Sequence, residues 1–195
     1  MQASLRIRHF TNGISLLVGL LVITATCCFG QRQNVETIDA TAMGTSTQMG
    51  RNFNLKLMIF QFSTPEDREV LVQAFAKGQN DGLVKALEKM KPVGRITIPG
   101  AVGYEVSYIR EIITPTGRTI RFVTNRRIAF GESYRDTQTK SFNLTAGEII
   151  LNDKDKKKSG GSLFPAAQLI VNKQGELQFE LNQNAWKLTN IIEWK

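Results

Sequence analysis

The chain has 195 residues, a formal net charge of +8 and 42% hydrophobic residues, which fits one folded domain with a conventional core. Its two cysteines, Cys27 and Cys28, are adjacent, and its one histidine is His9. Beyond Gly30 neither residue type occurs, which excludes zinc sites built on Cys and His and nucleophilic triads that need histidine. We expect no metal and no cofactor, and an enzyme would have to use carboxylates, Lys, Tyr or a Ser–Lys pair.

Residues 1–30 have the organisation of a secretory signal peptide. Arg6, Arg8 and His9 precede a nearly uncharged run over 14–29, and small residues lie near its end. The run is shorter than the roughly 20 residues that span a bilayer comfortably, and no second apolar segment follows it. The sequence therefore predicts an exported protein, periplasmic or secreted, and not a multi-span membrane protein. An uncleaved N-terminal anchor is the alternative.

The adjacent cysteines have two possible fates in an exported protein. Cleavage after Gly30 would discard both thiols, which is the fate that we favour. The alternative is lipidation of Cys27, although Thr24 and Thr26 depart from the usual residues of a lipoprotein signal. A redox pair is disfavoured, because Cys27 and Cys28 lack the two-residue spacer of redox motifs.

Residues 31–50 are rich in Thr, Gln, Ser and Gly and show no apolar periodicity. Such a segment buries too little apolar surface to offset the entropy of ordering, so we predict a flexible linker. The folded domain is then expected over 51–195. Its positive charge is interpreted as an aid to solubility. An anionic envelope component is a possible partner, whereas nucleic acid is not expected outside the cytoplasm.

The first half of this domain combines a strand with two helical patterns. The stretch "NFNLKLMIFQFS" predicts a strand that enters the core. Thr64, Pro65 and Asp67 then form a helix-start signature, with a capping residue, a proline at the first helical position and the acid of a capping box. Gly78 separates this helical pattern from a second one, which Pro92 ends. We therefore predict a helical hairpin packed on a sheet.

After Pro92 the apolar period changes to two, and turn residues separate the short runs. Examples are "GRITIPG", "VGYEVSYIREI" and "WKLTNIIEW". About seven to eight such strands predict an antiparallel β-meander that forms a sandwich or a barrel. The predicted class is α+β, with the helical hairpin packed on the meander.

The helical pair followed by "GRITIPGAVGY" and a β-meander resembles small secreted bacterial proteins of unknown function. The resemblance spans the whole exported domain. It implies an envelope protein and carries no catalytic motif, so no catalytic residue is transferred from it.

Candidate ligand-binding residues lie on two of the predicted strands. Tyr104 and Tyr108 are predicted on one strand face, and Arg121 lies on the following strand. If this face lined a barrel mouth, it could hold a small anionic or aromatic ligand. Glu105 and Glu111 are an alternative acid pair. The competing interpretation is that these side chains are ordinary cross-strand partners.

The stretch "LNDKDKKKSGGS" begins like a calcium loop. Lys157 and Lys158 fall where the next ligand and the glycine should be, so we interpret the stretch as a solvated hairpin tip. Contact of its lysines with an anionic surface is the alternative.

Three functions are compatible with these features. The leading hypothesis is a non-enzymatic binding or interaction module of the envelope. The alternative is a small-ligand carrier with a β-barrel cavity, and the second alternative is a carboxylate-based hydrolase. An open cavity would favour the carrier, two facing carboxylates in a cleft would favour the hydrolase, and a filled core would favour the interaction module.

Overall fold

The computed structural model describes residues 36–128, 142–175, 177–181 and 184–195. These residues contain one α-helix, nine strands and short 3-10 helices at Ser46–Gln48 and Lys156–Lys158. In chain order, the longer elements are β1 (Glu36–Met43), β2 (Asn52–Ile59), α1 (Pro65–Lys89), β3 (Gly94–Thr97), β4 (Tyr104–Thr114), β5 (Gly117–Thr124), β6 (Leu144–Asn152), β7 (Gly160–Val171), β8 (Leu177–Leu181) and β9 (Trp186–Trp194).

The strands form one antiparallel sheet that closes on itself. The order is β6-β5-β4-β3-β2-β1-β9-β7, and β7 also pairs with β6, so eight strands complete a barrel. The ninth strand, β8, extends β7 outside this ring. Strand β7 pairs with β9 over Gly161–Leu163 and with β8 over Ala167–Val171. Closure leaves the eight barrel strands without a free edge.

The predicted fold class, an α+β arrangement with a helical hairpin on a β-meander, is wrong. The protein is mostly antiparallel β, with a closed eight-stranded barrel and, among the described residues, a single α-helix. The two helical patterns belong to one element, because no loop separates them. Gly78 and Gln79 leave helical geometry, with φ/ψ of −137°/16° and 49°/−143°, and they kink α1.

The start of α1 follows the sequence prediction. The side chain of Thr64 accepts a hydrogen bond from the backbone N–H of Asp67, and the Asp67 carboxylate accepts one from the backbone N–H of Thr64. The predicted capping box is thus confirmed. Beyond the kink, a Cβ at Gly82 would lie 2.3 Å from the carbonyl oxygen of Ala74, so the two halves of α1 approach closely at this glycine.

Strand β1 lies inside the segment that the sequence assigned to a flexible linker. Its residues Ile38, Ala40 and Ala42 are buried, and it pairs with β2 on one side and β9 on the other. The linker prediction does not hold for Glu36–Met43, because "ETIDATAM" alternates small apolar and polar residues too weakly to stand out. Pairing on both edges stabilises a strand that its composition alone does not predict.

The barrel lumen is packed with side chains. Eight strands enclose an interior just wide enough for side chains or one small ligand. Here Phe122 lies fully buried among aliphatic residues, and its ring packs over Gly147, where a Cβ would lie 2.2 Å from the Phe122 Cζ. Toward one end, the rings of Phe53 and Trp186 lie 4.9 Å apart. The lumen is therefore the core of the protein.

A charged cluster closes the other end of the lumen. The Arg118 guanidinium contacts the carboxylates of Glu36, Glu111 and Glu193, and its side chain is only 11% exposed. Burial alone would raise the pKa of Glu193, but hydrogen bonds from Lys195 and Arg118 outweigh burial and hold that pKa below the ordinary value of 4.5. Burial alone would lower the pKa of Arg118, but its hydrogen bonds to Glu36, Glu111 and Glu193 outweigh burial and raise that pKa above the ordinary value, so the guanidinium stays charged.

Candidate functional site

A cavity of about 510 Å³ lies on the outside of the barrel, beneath α1. We call it the α1 cavity. It is lined by parts of α1, β4, β5, β6, β7 and β8, and its lining is mainly apolar. The apolar side chains that line it are Leu71, Val72, Phe75, Leu83, Leu87, Val123, Ala146, Phe164, Leu169 and Phe179.

The floor of the α1 cavity is a row of cross-strand partners on the outer barrel face. Tyr108 of β4 pairs with Val123 of β5, Val123 with Ala146 of β6, and Ala146 with Phe164 of β7. Successive side chains on a strand point to opposite faces of the sheet. Val123 follows Phe122, which fills the lumen, so the row that contains Val123 lies on the outer face. Where this row crosses them, β5, β6 and β7 are thus apolar on both faces.

The roof is α1, which is fixed in place at its kink. Asn80 follows the kink and is buried. Its amide nitrogen donates a hydrogen bond to the Asn143 side chain (2.6 Å), and its side-chain oxygen accepts one from the backbone N–H of Leu169 (3.0 Å). These bonds hold the second half of α1 against β7. Leu87 is fully buried there, whereas Val72 in the first half is 49% exposed.

Strand β8 forms a side wall because it extends beyond the closed ring. The ring of Phe179 on β8 stacks on that of Phe164 on β7, with centroids 6.0 Å apart and planes 15° apart. Phe179 is 39% exposed, so one face of an aromatic wall is accessible at the cavity. Exposed aromatic and aliphatic residues beside a concave apolar surface are typical of ligand-binding sites.

The polar groups of the α1 cavity are mostly basic. Arg68 from α1, Arg110 from β4 and Arg121 from β5, which we call the rim arginines, line it together with Glu148 and Tyr108. Arg121 donates from Nε to the Glu148 carboxylate at 2.5 Å. Within the described residues, no salt bridge joins Arg68 or Arg110 to a carboxylate. The cavity therefore has an excess of positive charge at its rim.

Tyr108 places a phenol between these charges and the apolar floor. Burial raises the pKa of Tyr108 above its ordinary value, although the positive charges of Arg110 and Arg68 oppose that effect. The hydroxyl is therefore protonated at neutral pH and available as a hydrogen-bond donor. In the part of the chain that the structure describes, it has no hydrogen-bond partner.

Two of the three predicted ligand-binding residues lie at the α1 cavity. Tyr108 and Arg121 line it, whereas Tyr104 packs against the residues of the lumen, with the Arg126 guanidinium 5.2 Å from its ring centroid. The tyrosines were expected on one face. A register shift between Val106 and Tyr108 separates them, because the extra residue reverses the alternation of side chains.

Sequence reasoning missed the contributions of Arg68, Arg110 and Phe179. The two helical patterns predict packing on a sheet, and no pattern in the sequence links them to the aromatic residues of β7 and β8. A usable signal existed on β5, where Phe122 and Val123 are adjacent apolar residues within one strand. Adjacent apolar residues on a strand indicate that both faces are covered or occupied.

Glu105 and Glu111, the predicted acid pair, are not brought together. Glu111 belongs to the Arg118 cluster, whereas Glu105 is exposed on β4. In the predicted hairpin tip, Lys156 and Lys158 lie near Asp153 and Asp155, at 3.6 and 3.9 Å respectively. Cys27, the predicted lipidation site, lies outside the described residues.

Among the residues that the structure describes, no helix combines the length and the apolar character needed to cross a membrane. Comparison with protein-family models, with curated proteins and with solved structures finds no match to this chain. The function of this chain is therefore inferred from the site itself.

Proposed function

We propose that this protein is a small-ligand carrier that binds an apolar molecule in the α1 cavity. The observation that carries the proposal is an open, apolar cavity of about 510 Å³ beside a lumen that is filled. Ligand pockets commonly range from roughly 300 to 1,000 Å³ and combine apolar walls with a few polar groups. The α1 cavity has both properties.

The position of the site differs from the barrel cavity that the sequence suggested. Phe122, Ile38 and Leu57 occupy the lumen and are fully buried, so a ligand would have to displace core side chains to enter it. The outer face beneath α1 offers space without that loss. This arrangement favours the carrier over an interaction module without a cavity. Glu105 and Glu111 are not neighbours, so the predicted acid pair gives no support to a hydrolase.

The predicted signal peptide indicates that binding takes place outside the cytoplasm. Intact-mass analysis of the protein from its native host tests this part of the proposal. Loss of residues 1–30 would support export with cleavage, and a diacylglyceryl adduct on Cys27 would indicate a lipid-anchored carrier. Retention of Met1 would contradict both.

The binding proposal is tested with the neutral dye phenylnaphthylamine, whose fluorescence rises in apolar surroundings. Val123→Trp places a larger side chain on the cavity floor and should weaken dye binding by about tenfold or more, since the dye and the indole compete for one volume. The matched control is Ile113→Trp, at a position 75% exposed on β4 and absent from the cavity lining. It should bind the dye as the parent does.

Thermal melts establish that each variant is folded. If Val123→Trp does not fold, Phe179→Ala is the second test, because it removes one exposed ring from the cavity wall. It should weaken dye binding severalfold. The proposal is contradicted if the parent does not bind the dye. It is also contradicted if the cavity variants bind the dye with the same affinity as the parent.

A further inference from the structure

The charge of the α1 cavity limits the kind of ligand that it can bind. Resting on the proposed carrier function, we propose that its ligand is an anionic amphiphile, with an apolar body in the cavity and an anionic head group at Arg68, Arg110 and the Tyr108 hydroxyl. The observations that carry this proposal are the arrangement of the rim arginines, the single acid among the lining residues, and the volume and apolar walls of the cavity.

The first observation is a cross-strand pair of like charges. Arg110 of β4 and Arg121 of β5 are directly opposite in register. Like charges directly opposite in a sheet destabilise it. Arg68 of α1 lines the same cavity and adds a third guanidinium. A bound anion would relieve the repulsion in this group.

The second observation is that the local acid is already engaged. Glu148 is the one carboxylate that lines the α1 cavity, and it pairs with Arg121 at 2.5 Å. That pair leaves Arg68 and Arg110 as a positive excess at the rim. Arginine stays ionised at any physiological pH, and its planar fork matches carboxylate and phosphate oxygens. The rim is thus permanently suited to an anion.

The third observation is the Tyr108 hydroxyl, a protonated donor on the floor beside the rim. A phenol that is half-buried and donates to no group of the described chain can add a hydrogen bond to the same head group. Hydrogen bonds from donors to an ionised acceptor are stronger than those between neutral groups.

The cavity walls exclude a bare inorganic anion as the full ligand. A phosphate or sulfate ion would satisfy the arginines but leave the space between Leu83, Phe164 and Phe179 unfilled. A neutral oil would fill that space but leave the rim repulsion in place. An amphiphile with one anionic group satisfies both parts of the site, which is why we select this class.

The test compares three compounds with the same twelve-carbon chain and different head groups. Dodecanoate, dodecanol and dodecyltrimethylammonium compete with phenylnaphthylamine on the purified protein, below their micelle concentrations. Dodecanoate should displace the dye at about tenfold lower concentration than dodecanol, as expected for a charge-assisted contact. The cationic compound should be the weakest. Raising the salt concentration should reduce the advantage of dodecanoate, because the rim is exposed.

Variants connect this preference to the rim. In the double variant Arg68→Gln, Arg110→Gln, the ratio of the dodecanol and dodecanoate dissociation constants should fall from about ten to about one. The control is Arg126→Gln, which removes one arginine charge beside Tyr104, outside the cavity lining. It should keep the ratio of the parent.

The outcomes separate the ligand class from the binding function. If dodecanol displaces the dye as well as dodecanoate does, the anionic class is wrong and the carrier proposal stands. If no compound displaces the dye and the dye itself does not bind, the carrier proposal fails. If dodecanoate is preferred equally by the parent and the double variant, its head group lies elsewhere and the assignment to the rim is overturned.

Discussion

The barrel lumen and the α1 cavity are two apolar regions on opposite faces of the same strands, and they differ in how completely they are filled. In the lumen, Phe122 is fully buried and packs on Gly147. Across the sheet, Val123 faces a cavity of about 510 Å³ beneath a helix whose exposed residues include Val72. One residue step along β5 therefore separates core packing from a space for a ligand.

This difference shows which region holds the fold together and which is available for function. The lumen has aromatic packing toward one end and the Arg118 cluster at the other, so its side chains have neighbours on all sides. The α1 cavity has a helical roof fixed by Asn80 and a side wall, β8, for which the described strands provide a partner on one edge only.

The largest expected effect distinguishes the two regions directly. Phe122→Ala should lower the free energy of unfolding by about 3–5 kcal/mol, the range for a large aromatic residue removed from a packed core. Phe179→Ala, in the cavity wall, should cost no more than about 1 kcal/mol, because its ring is 39% exposed. Denaturant melts of both variants and the parent measure the comparison. Similar losses for the two would mean that the cavity wall belongs to the core.

The next effect tests whether α1 is a firm roof. Leu87→Ala should cost roughly 2–5 kcal/mol, because Leu87 is fully buried between α1 and the outer barrel face. Glu88→Ala is the matched control on the exposed side of the same turn and should change stability by no more than about 0.5 kcal/mol. A nearly neutral Leu87→Ala would show that α1 is loosely attached and that the cavity has no fixed shape.

A smaller loss is expected at the charged end of the lumen. Arg118→Gln leaves three carboxylates facing one another and should lower the free energy of unfolding by about 2 kcal/mol. Breaking a fully buried ion pair costs roughly 3–5 kcal/mol, and the smaller loss is expected here because water reaches Glu111. Arg121→Gln, in an exposed pair at the cavity rim, should cost less than about 1 kcal/mol. Equal costs would show that the Arg118 cluster is no more buried than the rim.

The same cluster predicts how stability depends on pH. The pKa of Glu193 is lower in the folded protein than its ordinary value of 4.5, so this group stabilises the fold above that pH. Its contribution is lost as the pH falls through the lowered pKa. Urea melts between neutral pH and about pH 3 should show this loss in the parent and a smaller loss in Arg118→Gln. If the parent and Arg118→Gln show the same pH dependence, the Arg118 cluster does not contribute to it.

Local signals in the sequence predicted local structure well. The capping box at Thr64 was correct because it depends on residues three apart. The sequence did not distinguish a closed barrel from a sandwich. Closure depends on β1 pairing with β9, and these strands come from opposite ends of the described chain. Tyr108 and Arg121 line the same cavity, whereas a register shift that no residue type marks turns Tyr104 to the other face of β4.

The location of a bound ligand tests most directly whether the site lies outside the barrel. Dodecanoate brominated at its terminal carbon can be diffused into crystals of the protein, and the anomalous signal of bromine then marks the end of the chain. We predict a bromine peak in the α1 cavity near Phe164 and Phe179, with the carboxylate toward Arg68 and Arg110. A peak inside the lumen, in place of core side chains such as Phe122, would contradict the central claim that the ligand site lies outside the barrel.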